Sequence, residues 1–238
     1  MKKPKIVIFT GSGISAESGL TTFRDAGGLW DKYKVEDICT HAAWKNNPEK
    51  LVEFYNKLRQ KVRDAQPNDA HLAITRLQQV FPDVEIITQN VDDLHERAGS
   101  TNILHLHGEI NKLRSENNIY NDFIDCPGDE IYGDRHPNDG ALLRPHIVFF
   151  DEKVPNMIRA KRIARTSEIF IIIGTSLQVY PAASLLEDVS WDAKIYVIDP
   201  NEFEQFSNSY LEHIKKPATI GVPELVSRLI EEYNKDED

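Results

Sequence analysis

Apolar residues in this chain gather in short runs divided by longer polar segments. The runs are KIVIF (5–9), VEIIT (84–88), HIVFF (146–150), EIFIIIG (168–174) and KIYVID (194–199). Several are β-branched on both faces, the pattern of parallel strands covered by helices on each side. Helical periods separate some of them. In PEKLVEFYNKLRQKV, Leu51, Phe54, Tyr55, Leu58 and Val62 fall on one face, and Asn47-Pro48 is a good helix start. HLAITRLQQVF and VPELVSRLIEEY read the same way. This alternation predicts an α/β fold built on a doubly wound, Rossmann-like parallel sheet.

Two stretches break the alternation. Residues 25–75 hold helical patterns but no convincing strand, and residues 112–143 are polar, turn-rich and weakly periodic. Both read as insertions that together form a smaller second lobe. The expected division of this single domain is a large lobe of residues 1–30, 76–111 and 144–238, and a small lobe of residues 31–75 and 112–143. No internal repeat is visible, and EEYNKDED reads as a frayed, solvated end.

Composition narrows the function classes. The 238 residues are 40% hydrophobic with three Trp, enough for a proper core, and the net charge is −10. No basic footprint for nucleic acid or for an anionic membrane is present. Cys39 and Cys126 are the only cysteines, too few for a disulfide framework or a four-thiolate zinc site. The apolar run after MKKPK stops at Thr10, too short for a signal peptide or a membrane span. A cytoplasmic protein is expected.

The chemistry begins at the first strand. KIVIFTGSGISAESG places Gly11-Ser12-Gly13, followed by Ala16, at a strand-to-helix turn. That spacing fits the G-x-G-x-x-G/A fingerprint, whose glycines let backbone amides approach a pyrophosphate, although a plain tight turn would look the same. The acidic ribose ligand usual ~20 residues further on has no strand to sit on here. Asp199, closing KIYVID, is the better candidate, with a cap on the next segment as the alternative. A second unusual stretch is IITQNVDDLHERAG (86–99), where an apolar run stops on Gln89, Asn90, Asp92, Asp93 and His95 with no glycine or proline to make an ordinary turn.

Five separated motifs, GSGISAESGLTTFR (11–24), TQNVDDLHERAG (88–99), LHG (106–108), LRPHIVFF (143–150) and GTSLQVYPAA (174–183), occur in the order found in sirtuins. The chain resembles a bacterial sirtuin of the protein-deacylase branch from about residue 5 to residue 230. The resemblance implies an NAD-dependent enzyme that removes acyl groups, acetyl first among them, from protein lysine. It assigns Gly11, Ser12, Gly13, Ser15, Ala16, Phe23 and Arg24 to the diphosphate and nicotinamide side of NAD. Gln89, Asn90 and Asp92 surround the nicotinamide ribose, Gly174, Thr175 and Ser176 form a second loop on the dinucleotide, and Ala218 lies near adenine. His107 of Leu-His-Gly is implied as general base, with Asn90 and Asp92 beside it. His105, two residues earlier, shares its face if the stretch is extended and reads as a satisfied polar contact. His95 reads as a helix cap or packing residue.

The implied reaction is attack of the acyl-lysine amide oxygen on the ribose carbon as nicotinamide leaves, followed by attack of a ribose hydroxyl that His107 deprotonates. The products are lysine, nicotinamide and O-acyl-ADP-ribose. Hydrolysis of NAD or mono-ADP-ribosylation would use the same pocket, and a non-enzymatic NAD sensor would need no base. An acylated peptide would lie between the lobes on Val148, Phe149, Phe150, Leu177, Gln178 and Val179. The family commonly has Phe-Gly-Glu where this chain has Phe150-Asp151-Glu152. Sirtuins that remove succinyl or malonyl groups carry Tyr-x-x-Arg on a small-lobe helix, and here the matching positions are Tyr55 and Leu58. Arg59 follows at i+4 and flanks the same face, either as a partner for an acyl carboxylate or as a solvated arginine. Acetyl-lysine is therefore expected over succinyl-lysine. Most sirtuins also hold a structural zinc with two Cys-x-x-Cys pairs, whose positions fall on Ser115, Asn118, His136 and Asp139. No zinc is expected, and Ile119, Tyr120, Phe123, Ile124, Ile131 and Tyr132 are left to hold the lobe by packing.

Overall fold

A computed structural model describes residues 3–22, 34–117, 122–202 and 211–234. Its main sheet has six strands, all parallel, in the order β3-β2-β1-β7-β8-β9. They are β1 (Ile6–Thr10), β2 (Val84–Thr88), β3 (Ile103–His105), β7 (Ile169–Ile173), β8 (Lys194–Ile198) and β9 (Leu211–Ile214). Period-two alternation divides the central strands between two cores. Ile6, Ile8, Ile86, Ile169 and Ile171 face α5 (Asp69–Val80) and α8 (Ala218–Asn234). Val7, Phe9, Ile87, Phe170 and Ile172 face α7 (Met157–Arg165) and a 3-10 turn at Ala182–Asp188. The doubly wound architecture expected from the apolar runs is thus present, and its strand order reverses direction between β1 and β7.

A second sheet, antiparallel, has the order β5-β4-β6, with β4 (Gly108–Ser115), β5 (Phe123–Asp125) and β6 (Leu143–Ile147). It meets the helices α2 (Val35–Ile38), α3 (His41–Asn46) and α4 (Pro48–Asp64) through a third core around Trp44, Leu51, Tyr55, Ile110 and Phe149. Asn47 caps α4 by accepting from the Lys50 amide at 3.1 Å, with Pro48 in its first turn. The remaining short helices are α1 (Gly13–Ala16) and α6 (Leu94–Arg97).

Four expectations are corrected. HIVFF does not join the parallel sheet, because β6 pairs antiparallel with β4. The strand β6, Leu143–Ile147, is buried on both faces all the same, and a doubly buried run says nothing of its partner's direction. The strands β3 and β9 were not anticipated. They are three- and four-residue edges and need little apolar sequence. Residues 69–75 pack on the parallel sheet as part of α5, with Ala70 and Ile74 in its core, so they do not belong with the helices of the smaller lobe. Finally, Phe123, Ile131 and Tyr132 belong to no buried apolar cluster, although the Phe123 ring packs on His146 at 4.0 Å, Ile124 is only partly covered, and Ile119 and Tyr120 lie outside the described residues.

Candidate active site

The loops after β1 and β7 meet where the strand order reverses, the place where open α/β sheets bind ligands. Gly13 N donates to Gly174 O at 2.9 Å, and Gly11 N to Ile173 O at 3.0 Å. A Cβ on Gly11 would fall 2.7 Å from Gly174 O, one on Gly13 2.6 Å from Gly174 Cα, and one on Gly174 2.5 Å from the Gly13 carbonyl carbon. Gly174 also has φ +59°. The glycines are therefore required first for the contact between the two loops, which in turn leaves both backbones exposed to the crevice.

Beside them, the polar stretch after β2 turns inward. The Thr10 hydroxyl donates to Thr88 Oγ1 at 2.8 Å, Thr88 Oγ1 accepts from the Asn90 amide at 3.0 Å, and Gln89 N donates to Thr10 O at 2.9 Å. Asn90 Nδ2 donates to Ser15 Oγ at 3.1 Å, and Ser15 Oγ donates to Asp92 Oδ2 at 3.0 Å. Asp92 Oδ1 accepts from the Leu94 amide at 3.2 Å. Burial pushes the Asp92 carboxyl up to about 6, against the opposing pull of the Leu94 amide and Ser15. His95 is buried, faces Thr10 Oγ1 at 3.1 Å and packs edge-on against His71, so it is a packing residue, as expected.

These elements floor a cavity of about 410 Å³ whose roof is the smaller lobe. Gly11, Ser12, Gly13 and Ala16 line it from the first loop, Gln89 and Asn90 from the second, and Gly174, Thr175 and Ser176 from the third. Asp199 and Ala218 close its far end. The two readings of Asp199 coexist, since it lines the cavity and its Oδ1 also accepts from Asn201 N at 2.9 Å. Ser15 and Asp92 stand behind the wall, reaching the cavity through Asn90. Gln89 Nε2 spans to Thr175 Oγ1 at 3.0 Å, tying two of the loops. Phe23 and Arg24 lie outside the described residues.

His107 lines the cavity, and its Nδ1 faces the Gln89 carbonyl at 3.1 Å. Burial lowers its pKa from the usual imidazole value, with the Gln89 contact working against the shift. A carbonyl only accepts, so Nδ1 carries the proton, and Nε2 keeps its lone pair for the cavity.

At the other end the wall is apolar. Tyr55, Leu58, Val148, Phe149, Phe150 and Val179 appear there as expected. Sequence reasoning missed Ile38, Cys39, Phe54 and Val91. The one available signal was Cys39 itself, a small apolar residue whose Sγ accepts from the Tyr55 hydroxyl at 3.5 Å. Three candidates are not on the wall, and one of them, Gln178, is exposed to solvent. Leu177 is buried in the core beneath the sheet. Arg59 is completely buried but points away, donating through Nε to Ile110 O at 2.8 Å and standing 3.7 Å from Glu130. It is neither an acyl-group partner nor a solvated arginine. At i+4 it turns to the flank that packs on β4, while Leu58 at i+3 turns to the cavity. Asp151, where the family commonly has glycine, accepts from the His41 amide at 2.8 Å and so fastens the start of α3 to the cleft.

The chain is similar throughout to proteins of one family. Residues 11–181 match the model of the Sir2 family. The NAD-dependent protein deacylase of Bacteroides thetaiotaomicron is 46% identical over 230 residues, which cover 94% of this chain and 97% of that protein. A solved Sir2 homologue in complex with NAD superposes with TM-score 0.86 at 35% identity, over 97% of this chain and 91% of its own. A Sir2 bound to a p53 peptide and NAD+ gives TM-score 0.75 at 25% identity, over 98% and 95%.

Proposed function

The chain belongs to the Sir2 family, and from that premise we propose that it is an NAD-dependent protein-lysine deacylase working in the cleft between its two sheets. The observation that carries the reading is the His107 ring, held by one nitrogen on the Gln89 carbonyl and offering the other to the cavity. The cavity fits NAD. Two glycine loops line it with backbone that no side chain covers, Ser12, Thr175 and Ser176 add hydroxyls, and the Asp199 carboxylate suits sugar hydroxyls at the far end. When bound, NAD supplies an electrophilic ribose carbon and nicotinamide as its leaving group.

The chain's own residues do the rest. Asn90, oriented by Ser15, and Asp92 behind it set the polar wall on the nicotinamide side. His107 Nε2 takes the proton of a ribose hydroxyl, a role suited to an imidazole kept neutral near pH 7. On the peptide side, Val148 N, Phe149 N and Phe150 N already donate to His107 O, Glu152 Oε2 and Cys39 O. The Val148 carbonyl is then the group left for a peptide amide, a one-sided form of strand addition. The apolar wall of Ile38, Phe54, Tyr55, Leu58 and Phe149 suits an acetyl group, and among the described residues no Lys or Arg lines the cavity.

We also propose that the smaller lobe holds no zinc. In place of thiolates, Ser115 Oγ donates to Asp139, and His136 stands 3.5 Å from Asp122. Asn118 lies outside the described residues. Cys126 packs with Leu113 and Leu143. Incubation with NAD and an acetyl-lysine peptide tests the main reading. Nicotinamide with O-acetyl-ADP-ribose is expected, whereas free ADP-ribose alone would replace deacylation by hydrolysis.

A further inference from the structure

We propose that His105 is a positioning residue that works as an imidazolium, clamping the Asn90 carbonyl to α6 and so setting the Asn90 and Asp92 side chains in the cleft. Only the kinetic readout of this role rests on the proposed deacylase reading. Its structural basis is that both ring nitrogens of His105 face groups that only accept. Nδ1 lies 3.0 Å from Asn90 O, and Nε2 lies 2.8 Å from Glu96 Oε1. A backbone carbonyl has no proton to give, and an ionised carboxylate has none either. A neutral imidazole carries one proton and satisfies one of the two; only the imidazolium satisfies both.

The contrast with His107 is direct. The two histidines hang on consecutive carbonyls, Gln89 O and Asn90 O, but only His105 meets a carboxylate with its second nitrogen. Burial pushes His105 down, while the hydrogen bond and charge of Glu96, then Glu109, outweigh it and raise it above the ordinary imidazole value. Other charged or titratable groups around the ring are Asp92, His95, Lys112 on β4, His146 on β6 and Arg159 on α7. The His105 charge also favours the ionised form of Asp92. As pH rises through the His105 pKa, one of its two hydrogen bonds is lost and the Asn90 loop loosens.

Glu96→Gln separates charge from contact. A carboxamide donates to a neutral Nε2 while Nδ1–H stays on Asn90 O, so this variant needs no imidazolium. We expect NAD affinity of the parent, by calorimetry, and kcat/KM for NAD to fall about tenfold along an alkaline limb, the worth of one hydrogen bond. Glu96→Gln should keep the neutral-pH level and lose that limb. His105→Phe should raise KM for NAD at every pH. Nitrogen-15 signals of the parent should show both His105 nitrogens protonated at pH 7. A singly protonated His105, or an alkaline limb unchanged in Glu96→Gln, overturns the proposal. If NAD binding follows this pattern and no deacylation is seen, the clamp stands and the proposed reaction falls.

Discussion

The parallel sheet and the small antiparallel sheet differ in how much buried charge they carry. In the first, strands β1, β2 and β7 bury aliphatic side chains on both faces, and the charges stay at the rim. In the second, Ile110 and Ile147 join the apolar core around Trp44 and Tyr55, but Leu113, Cys126 and Leu143 make only a meagre cluster, and several charged side chains are buried as well. Arg114 and Arg144 converge on Glu152 at 3.0 and 2.7 Å, Arg144 also lies over the Phe149 ring at 3.8 Å, and Arg59 pairs with Glu130. Asn56 fastens the Glu130 backbone from both sides, its Nδ2 donating to Glu130 O and its Oδ1 accepting from Glu130 N, each at 2.9 Å. The difference teaches where function can sit. The aliphatic sheet is rigid enough to end its strands on polar side chains without losing them. The polar lobe is fixed by directional contacts that one substitution can undo.

The largest expected effect lies at the rim of the aliphatic sheet. His107→Ala should cost ~10²–10⁴-fold in deacylation rate and leave thermal unfolding as in the parent, because His107 belongs to none of the three apolar cores. Activity within threefold of the parent would remove His107 from the mechanism.

The opposite signature is expected in the small lobe. Arg59→Met should leave Glu130 without its partner and destabilise the protein by about 3 kcal/mol, the usual cost of breaking a buried pair. It should change kcat little, since Arg59 does not reach the cavity. Phe123→Ala, by contrast, removes a ring that is 39% exposed and packs chiefly on His146, and should cost well under half as much. Equal losses for the two would mean that apolar packing, and not charge, carries the lobe. A pH dependence sharpens the point. Burial raises the Glu130 carboxyl from 4.5 to about 7, despite the pull of Arg59 and Arg144. A carboxyl whose folded pKa exceeds its unfolded one binds protons more tightly in the folded state, so its contribution diminishes as pH rises from 4.5 to about 7. Glu130→Gln should flatten that slope in denaturant titrations, and an unchanged slope would assign it elsewhere.

The same contrast explains what could be read in the chain. Apolar runs of five residues announced β1, β2, β7 and β8, because burial on both faces requires such runs. The loops that line the cavity were legible for a related reason: Gly11, Gly13 and Gly174 are forced by backbone contact, and Gln89, Asn90 and His107 stood out by motif. The small sheet was not legible. Phe123, and Ile131 and Tyr132 in the segment after it, are exposed, and besides Ile110, Leu113, Leu143 and Ile147 the lobe buries Arg59, Arg114, Arg144 and Glu130, which look solvated in a sequence. Arg59 was misread for that reason. Its spacing from Tyr55 is right for the acyl wall, but the choice between i+3 and i+4 depends on a partner, Glu130, that lies 71 positions further on.

That choice sets the acyl preference. With Leu58 on the wall and Arg59 turned to Glu130, acetyl-lysine should be turned over at least tenfold better than succinyl-lysine, the factor that ~1.4 kcal/mol of lost charge pairing gives. Leu58→Arg places a cation on the wall and should narrow the gap. A tenfold preference of the parent for succinyl-lysine, abolished in Arg59→Ala, would return Arg59 to the pocket.

The smallest expected effect is no effect at all, and it bears on the comparison most directly. If the antiparallel sheet is held by Arg59–Glu130, the Arg114–Glu152–Arg144 cluster and the Ser115–Asp139 hydrogen bond, then a chelator has nothing to remove. Where the family's thiolates would stand, Ser115 and Asp139 satisfy each other, and hydroxyl and lone carboxylate donors are poor substitutes for the Cys and His ligands of structural zinc at ~2.0–2.3 Å. Among the described residues no three His, Cys, Asp or Glu side chains are grouped to hold a metal. Protein purified without a histidine tag should carry well under one zinc per chain, and a chelator should leave its melting temperature unchanged. Stoichiometric zinc, lost together with stability in Cys126→Ser, would show that the polar pairs only decorate a lobe held by metal.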